Sequence, residues 1–179
     1  MDEFSTSRLW LMRVVFCVLG LVILFFQLLP LSTLPGVWAG PDLLIALACA
    51  WAVRRPDYVP GVAVAAVILV ADLLLYRVPG LLALLVVLGT HTLKLRSSGL
   101  RDAGFAGEWT AVAIVILGIA LCERLLLTIL MVEQPPLGLA LSHAVMTVVI
   151  YPVMVGVSHV LFGVQRLSPG DEDALGGRL

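Results

Sequence analysis

Charged residues are scarce in this chain, and that scarcity excludes most soluble folds. Only 13% of the 179 residues are charged, whereas 61% are hydrophobic and the mean hydropathy is +1.09. A soluble domain of this length has too little interior to bury so much apolar surface. The apolar residues form continuous runs rather than an alternating pattern, which predicts membrane helices and not a membrane barrel. The chain is therefore predicted to be an all-α, polytopic membrane protein.

A basic surplus is also missing, because Lys and Arg number 11, Asp and Glu number 12, and the formal net charge is −1. Such a chain has no basic face to hold phosphates, so no nucleic-acid partner is expected. Catalytic motifs are missing as well: the sequence has no HExxH, GxSxG, P-loop or dinucleotide fingerprint. The three cysteines and three histidines show no metal-ligand spacing. We therefore expect neither enzymatic activity, nor a metal, nor a cofactor.

Six apolar runs are present, and they predict a six-helix transmembrane domain over residues 1–162. The predicted helices cover residues 9–29, 41–53, 60–76, 81–93, 109–132 and 137–162. The first run is interpreted as a retained helix, because the possible signal-peptide cleavage site lies well beyond it. Residues 94–108 are predicted to form a flexible polar loop, and residues 163–179 a flexible, acidic cytoplasmic tail.

The second predicted helix is unusually short. Its length is only about 20 Å at 1.5 Å per residue, less than the ~30 Å hydrocarbon core of a bilayer. Three solutions are open: the helix reaches water through its terminal arginines, thins the bilayer, or is sheltered among other helices.

Basic residues are distributed unevenly between the predicted loops. With the N-terminus inside, the outer loops hold only Arg77, whereas nine basic residues lie inside: Arg8, Arg13, Arg54, Arg55, Lys94, Arg96, Arg101, Arg166 and Arg178. The positive-inside rule then places both termini in the cytoplasm. This orientation and the even helix count agree with one another.

A polar cluster is predicted in the outer half of the bundle. It contains five ionisable residues from predicted helices 3, 5 and 6 and the loop after helix 3: Asp72, Arg77, Glu123, Arg124 and His143. A carboxylate inside an apolar run is costly unless it is paired, so we expect Asp72 to form an ion pair with Arg124. Arg77 is expected at the interface, in contact with lipid phosphates. The cluster is either an outward-facing polar cavity or a buried ion pair that only fixes helix order.

Small residues predict where helices approach one another. Gly61, Ala65, Ile68 and Asp72 follow a 3.6-residue period and share one face of predicted helix 3. Predicted helix 2 carries alanine at residues 46, 48, 50 and 52. Because small residues allow close backbone approach in membranes, predicted helices 2 and 3 are expected to meet through these faces.

Residues 38–96 resemble the MreD family of bacterial rod shape-determining membrane proteins. The resemblance is carried by three short motifs: Pro41-Asp42-Leu43-Leu44 with Arg54-Arg55-Pro56, then Gly61 through Asp72, then Pro79-Gly80-Leu81. Val78-Pro79-Gly80 stands where family members often carry Pro-Leu-Gly. The resemblance implies a non-enzymatic inner-membrane scaffold that binds MreC and supports lateral peptidoglycan synthesis. It also implies contact with the rod-complex glycosyltransferase and its class B penicillin-binding protein, directly or through MreC.

The MreD family is in turn similar in fold to the S components of energy-coupling-factor transporters. This likeness implies a second, different function, that of a small-molecule-binding transport subunit. A ligand site would need convergent donors and aromatic side chains. The outer half offers charges, but few aromatics beyond Tyr76 and Tyr151. The scaffold is therefore the favoured interpretation, with membrane lipid around it.

Overall fold

The computed structural model describes residues 2–29, 40–102 and 104–162, and within them the chain is helical without a strand. These described ranges contain seven α-helices and one short 3₁₀ turn, Pro56–Tyr58. The α-helices are α1 Asp2–Leu28, α2 Leu43–Arg54, α3 Gly61–Leu74, α4 Leu81–Leu95, α5 Ser97–Asp102, α6 Gly104–Ile129 and α7 Leu137–Phe162. The all-α prediction is confirmed. Trp38 and the acidic tail at residues 163–179 lie outside the described residues.

In the part of the chain that the structure describes, three helices are long and apolar enough to cross a membrane: α1 over Ser7–Leu28, α6, and α7 over Leu137–Leu161. Helices α2, α3 and α4 have only 12, 14 and 15 residues. At 1.5 Å per residue they are about 18–23 Å long, shorter than a bilayer core. Three crossings are therefore supported by length and composition, and six crossings stay a prediction.

Helix α2 lies at the centre of the bundle. Every residue from Leu44 to Val53 is buried, and the alanines at 46, 48, 50 and 52 are at most 1% exposed. The helix packs against α4 and α7, with further contacts to α1 and α6. Trp51, fully buried, donates its indole N–H to Ser158 Oγ on α7 at 2.9 Å. Of the three solutions for a short helix, shelter among other helices is the one that the structure shows.

The predicted contact between α2 and α3 is wrong. Helix α3 packs mainly against α4 and α1, while α2 has α4 and α7 as its principal neighbours. The buried face of α3 consists of Val64, Val67, Ile68, Ala71 and Asp72. Gly61 is exposed, and Ala65 is only half-buried. Aliphatic side chains thus fill this interface, because α3 folds back on α4 as a hairpin rather than on α2.

Two other glycines allow close helix approach. A Cβ atom at Gly89 of α4 would lie 2.9 Å from side-chain carbons of both Val115 and Ile119 on α6. At Gly20 of α1 it would lie 2.7 Å from Val67 Cγ1 on α3. By contrast, the nearest atom to a Cβ at Gly61 is 3.9 Å away. Close packing through small residues therefore occurs at Gly20 and Gly89.

Several helix starts differ from the predictions. Helix α2 begins at Leu43 rather than at Pro41, because Asp42 is its N-cap. Pro60 is the N-cap of α3, one residue before the helix. Helix α1 begins at Asp2, seven residues before the predicted start at residue 9.

The region 94–108 is not the predicted flexible loop. It contains the last residues of α4, all of α5 and the first turn of α6, which begins at Gly104 with a φ of +72°. Helix α6 ends at Ile129 and not at residue 132, and Met131 follows with a φ of +55°. The bounds predicted for the last helix, 137–162, are confirmed, and Pro152 lies inside it.

Candidate functional site

A cavity of about 440 Å³ opens at one end of the bundle. The start of α2, the α3–α4 turn, the last turns of α6 and the first turns of α7 surround it. Its polar lining includes Asp42, Arg77, Glu123, Arg124, Glu133, Gln134, His143 and Thr147. The sequence prediction placed Arg77, Glu123, Arg124 and His143 at a common depth, and the structure brings all four to this cavity. Asp72, the fifth predicted member, does not line it.

Asp42 is the central carboxylate of the cavity. Its side chain is 4% exposed, and Oδ1 accepts hydrogen bonds from the backbone N–H groups of Leu44 at 3.0 Å and Ile45 at 3.2 Å. These bonds cap α2, whose first N–H groups have no partner within the helix. Sequence reasoning missed this residue as a site member. The signal was present, since an aspartate directly before an apolar run is a common helix start.

Two cationic or ionisable side chains face the second oxygen of Asp42. Arg77 Nη1 lies 3.6 Å from Oδ2, and His143 Nε2 lies 3.9 Å from the same atom. His143 Nδ1 also contacts the carbonyl of Gly40. Arg77 therefore faces the cavity and a carboxylate, whereas we expected it to contact lipid phosphates.

Thr147 fixes α2 against α7 at the floor of the cavity. Its hydroxyl is 2.9 Å from the backbone N–H of Asp42, from which it accepts a hydrogen bond, and it donates to the carbonyl of His143 at 2.8 Å. Thr147 is 1% exposed. The N-terminus of α2 is consequently held in one position relative to His143.

Asp72 has a structural role in the α3–α4 turn. It is fully buried, and Oδ2 accepts from the backbone N–H groups of Gly80 at 3.1 Å and Ala83 at 3.4 Å. Gly80, with a φ of +82°, is the N-cap of α4, and Pro79 precedes it in the turn. Asp72 thus supplies the capping oxygen that Gly80 lacks, while its Oδ1 has no hydrogen-bond partner among the described residues.

The predicted ion pair between Asp72 and Arg124 is not formed. Arg124 Nη1 instead donates to the carbonyl of Pro135 at 3.1 Å, in the turn between α6 and α7. The reason is the order of the helices, since α4 packs against both α3 and α6 and lies between them. Oδ2 of Asp72 is therefore hydrogen-bonded within its own hairpin.

A second polar cluster lies at the opposite end of the bundle and links α2, α6 and α7. Glu108, fully buried, is 3.1 Å from Arg54 Nε, and Tyr151 donates its hydroxyl to Glu108 at 2.6 Å. Sequence reasoning missed Glu108 because it was assigned to the predicted loop at 94–108. The Arg54–Glu108 contact spans 54 positions of sequence, so no local pattern indicates it.

Metal and nucleophile chemistry receive no support from the described part of the chain. No group of three or more His, Cys, Asp or Glu side chains there could hold a metal ion. Ser142 donates its hydroxyl to the carbonyl of Leu139, while His91 and His159 are exposed. The charged cavity is therefore the best candidate for a binding function.

The composition and the three long apolar helices together fit an integral membrane protein of the helical class. No protein-family model, no curated protein and no solved structure matches the chain. The particular function must therefore be argued from the motifs and the geometry.

Proposed function

We propose that this chain is a non-enzymatic membrane scaffold of the MreD type, in the bacterial inner membrane with both termini cytoplasmic. In this role it partners MreC and, directly or through it, the glycosyltransferase and class B penicillin-binding protein of the rod complex. Cell-shape maintenance and lateral peptidoglycan synthesis are the processes that it serves.

One observation carries the proposal: polar residues of the MreD-like motifs hold the helices of the bundle together. Asp42 caps the enclosed helix α2, and Asp72 caps α4 through the Gly80 turn. Arg54, in the Arg-Arg-Pro motif, joins α2 to α6 through Glu108. The resemblance thus falls on residues with architectural roles, which is what a scaffold requires.

The arrangement of α2 supports the same function. A helix that is buried from Leu44 to Val53 holds α4 and α7 in fixed positions and presents little outer surface of its own. Partners must then bind the outward faces of the other helices, α1, α3, α4, α6 and α7. A rigid core with apolar outer faces suits an assembly platform in a membrane better than a moving catalyst.

Affinity purification from native membranes tests the proposal. Tagged protein is extracted in mild detergent, and co-purifying proteins are identified by mass spectrometry, with an unrelated tagged membrane protein as the control. Recovery of MreC and the peptidoglycan synthases is expected. Deletion of the gene should also round the cells and slow lateral incorporation of peptidoglycan precursors. Normal cell width and normal incorporation after deletion would contradict the scaffold function.

A second candidate is a small-molecule-binding transport subunit similar to an S component. The cavity of about 440 Å³ favours it, because that volume lies within the roughly 300–1,000 Å³ range of ligand pockets. Co-purification of transport ATPases in the same experiment, without rod-complex proteins, would favour this function over the scaffold.

A further inference from the structure

Glu123 and Arg124 are adjacent on α6, both line the cavity, and neither has a charged partner among the described residues. Glu123 has no hydrogen-bond donor there and no cation within 4.0 Å, and Arg77 and His143 attract it only from beyond that distance. Arg124 donates to one backbone carbonyl, that of Pro135. A guanidinium has five N–H donors, so most of its hydrogen-bonding capacity is unused.

The depth of these two residues makes their lack of partners costly. Glu123 lies six residues before the end of α6 at Ile129, about 9 Å along the helix axis at 1.5 Å per residue. Ionisable side chains inside a membrane segment normally pair with one another or face a polar binding site. Here both of them are half-buried and face the same cavity.

Apart from the exposed Glu133 at the rim, the other charges of the cavity are already engaged. Asp42 faces Arg77 and His143 and also caps α2. Within the cavity, one carboxylate, Glu123, and one guanidinium, Arg124, thus stay available to a ligand, while the exposed carboxylate of Glu133 lies at the rim. A ligand that satisfies both must carry a cation and an anion a few ångströms apart. A purely anionic ligand would meet the uncompensated carboxylate of Glu123, and a purely cationic one would meet Arg124.

The walls indicate which zwitterion fits. More than half of the lining residues are aliphatic, including Ile116, Ile119 and Leu127 on α6. Such walls favour a ligand with an apolar body next to its charged group. A quaternary ammonium would need an aromatic cage, but Tyr76 is the only aromatic among the described lining residues and is 97% exposed. A primary ammonium can instead donate hydrogen bonds to a carboxylate.

We propose that this cavity binds the headgroup of an aminophospholipid of the phosphatidylethanolamine type, with its ammonium on Glu123 and its phosphate on Arg124. The aliphatic walls then surround the glycerol region. The site is independent of the scaffold function, because it concerns the purified chain and not its protein partners. Failure of the lipid test would therefore leave the scaffold proposal unaffected.

Native mass spectrometry of the purified full-length protein in detergent tests the site. The protein is mixed with equal amounts of phosphatidylethanolamine, phosphatidylcholine and phosphatidylglycerol, and retained lipids are counted. We expect phosphatidylethanolamine to be retained at least about tenfold more than either of the others, a difference near 1.4 kcal/mol. Glu123→Gln and Arg124→Gln should each reduce this preference to about twofold or less. Asp57→Asn, which removes an exposed carboxylate at the opposite end, should leave it unchanged.

Three results would overturn the proposal. The first is equal retention of the three lipids by the wild-type protein. The second is equal retention of phosphatidylethanolamine by wild type and Glu123→Gln when both proteins show the same melting temperature in detergent. The third is displacement of the lipid by micromolar phosphoethanolamine, which would show that a free, soluble zwitterion is the ligand. If the melting temperature is lowered in Glu123→Gln alone, Arg124→Gln serves as the test variant, because it removes the other charge of the same site.

Discussion

Asp72 illustrates how a carboxylate buried in an apolar helix can be stabilised by backbone N–H donors instead of an ion pair. Its Oδ2 accepts two backbone N–H groups at the start of α4, Gly80 and Ala83, which have no partner within the helix. Capping of this kind joins the end of one helix to the beginning of the next. The residue therefore stabilises the α3–α4 hairpin and is not itself part of the cavity lining.

The capping role predicts different effects for two substitutions of Asp72. Asp72→Ala should destabilise the protein by about 1–2 kcal/mol, because it leaves the N–H groups of Gly80 and Ala83 without an acceptor. Asp72→Asn keeps an acceptor oxygen and should cost less than about 1 kcal/mol. Thermal unfolding in detergent measures both.

The same measurement distinguishes capping from an ion pair. Because Asp72 and Arg124 do not touch, the effects of Asp72→Ala and Arg124→Ala should add, with a coupling energy below about 0.5 kcal/mol. A double mutant that recovers stability relative to Asp72→Ala would instead support the ion pair expected from the sequence.

At the scale of elements, the contact between α4 and α6 depends on Gly89. A side chain at this position would overlap Val115 and Ile119, whose carbons lie 2.9 Å from the ideal Cβ site. Gly89→Leu should therefore separate the two helices and lower the melting temperature by several degrees, since overpacking typically costs about 1–3 kcal/mol. Gly61→Leu is the matched control, because Gly61 is exposed.

Disulfide cross-linking between cysteines on α4 and α6 measures the separation directly. Efficient cross-linking is expected in Gly61→Leu and weak cross-linking in Gly89→Leu. Equal cross-linking in both variants would contradict the close approach at Gly89.

Helix identities were more predictable from the sequence than helix contacts. The bounds of α7 follow from Pro135-Pro136 and an unbroken apolar run, both local signals. Which helix packs against α3 depends instead on the direction that the chain takes at the Pro56–Tyr58 turn and at the Gly80 turn. Periodicity identified a small-residue stripe containing Gly61 and Ala65, but not which helix would face it.

The candidate site, like the fold, could be predicted only in part from the sequence. Hydropathy and orientation placed Arg77, Glu123, Arg124 and His143 at one end, because charges in apolar runs are conspicuous. Asp42 and Glu108 were missed because both lie near helix starts that were predicted at the wrong place. The start of the helix after Asp42 was assigned to the neighbouring residue 41, and Glu108 was assigned to the predicted loop at 94–108. The prediction that Asp72 pairs with Arg124 was wrong because the order of the helices, with α4 between α3 and α6, is a tertiary property.

At the scale of the whole molecule, the two polar clusters mark opposite ends of the bundle. The cavity with Glu133 at its rim defines one end, and Arg54 with the nearby exposed Asp57 defines the other. If the positive-inside rule holds, the cavity faces outward and Asp57 faces the cytoplasm.

Cysteine labelling in intact cells checks this orientation. The native cysteines are first replaced, with alanine at the fully buried Cys49. An impermeant thiol reagent should then label Glu133→Cys and leave Asp57→Cys unlabelled until the cells are opened. Labelling of Asp57→Cys in intact cells would reverse the orientation.

The enclosure of α2 has a consequence for how the protein is made. A 12-residue helix is too short to partition stably into the bilayer by itself, yet it leaves the ribosome long before α7, its principal cover. Two α7 residues, Thr147 and Ser158, form hydrogen bonds with Asp42 and Trp51 near the two ends of α2. Each lies more than 100 positions downstream of its partner. Synthesis must therefore pass through a stage in which the face of α2 that packs against α7 is not yet covered. Any chain truncated before residue 137 should remain in that stage, where it is exposed to membrane proteases.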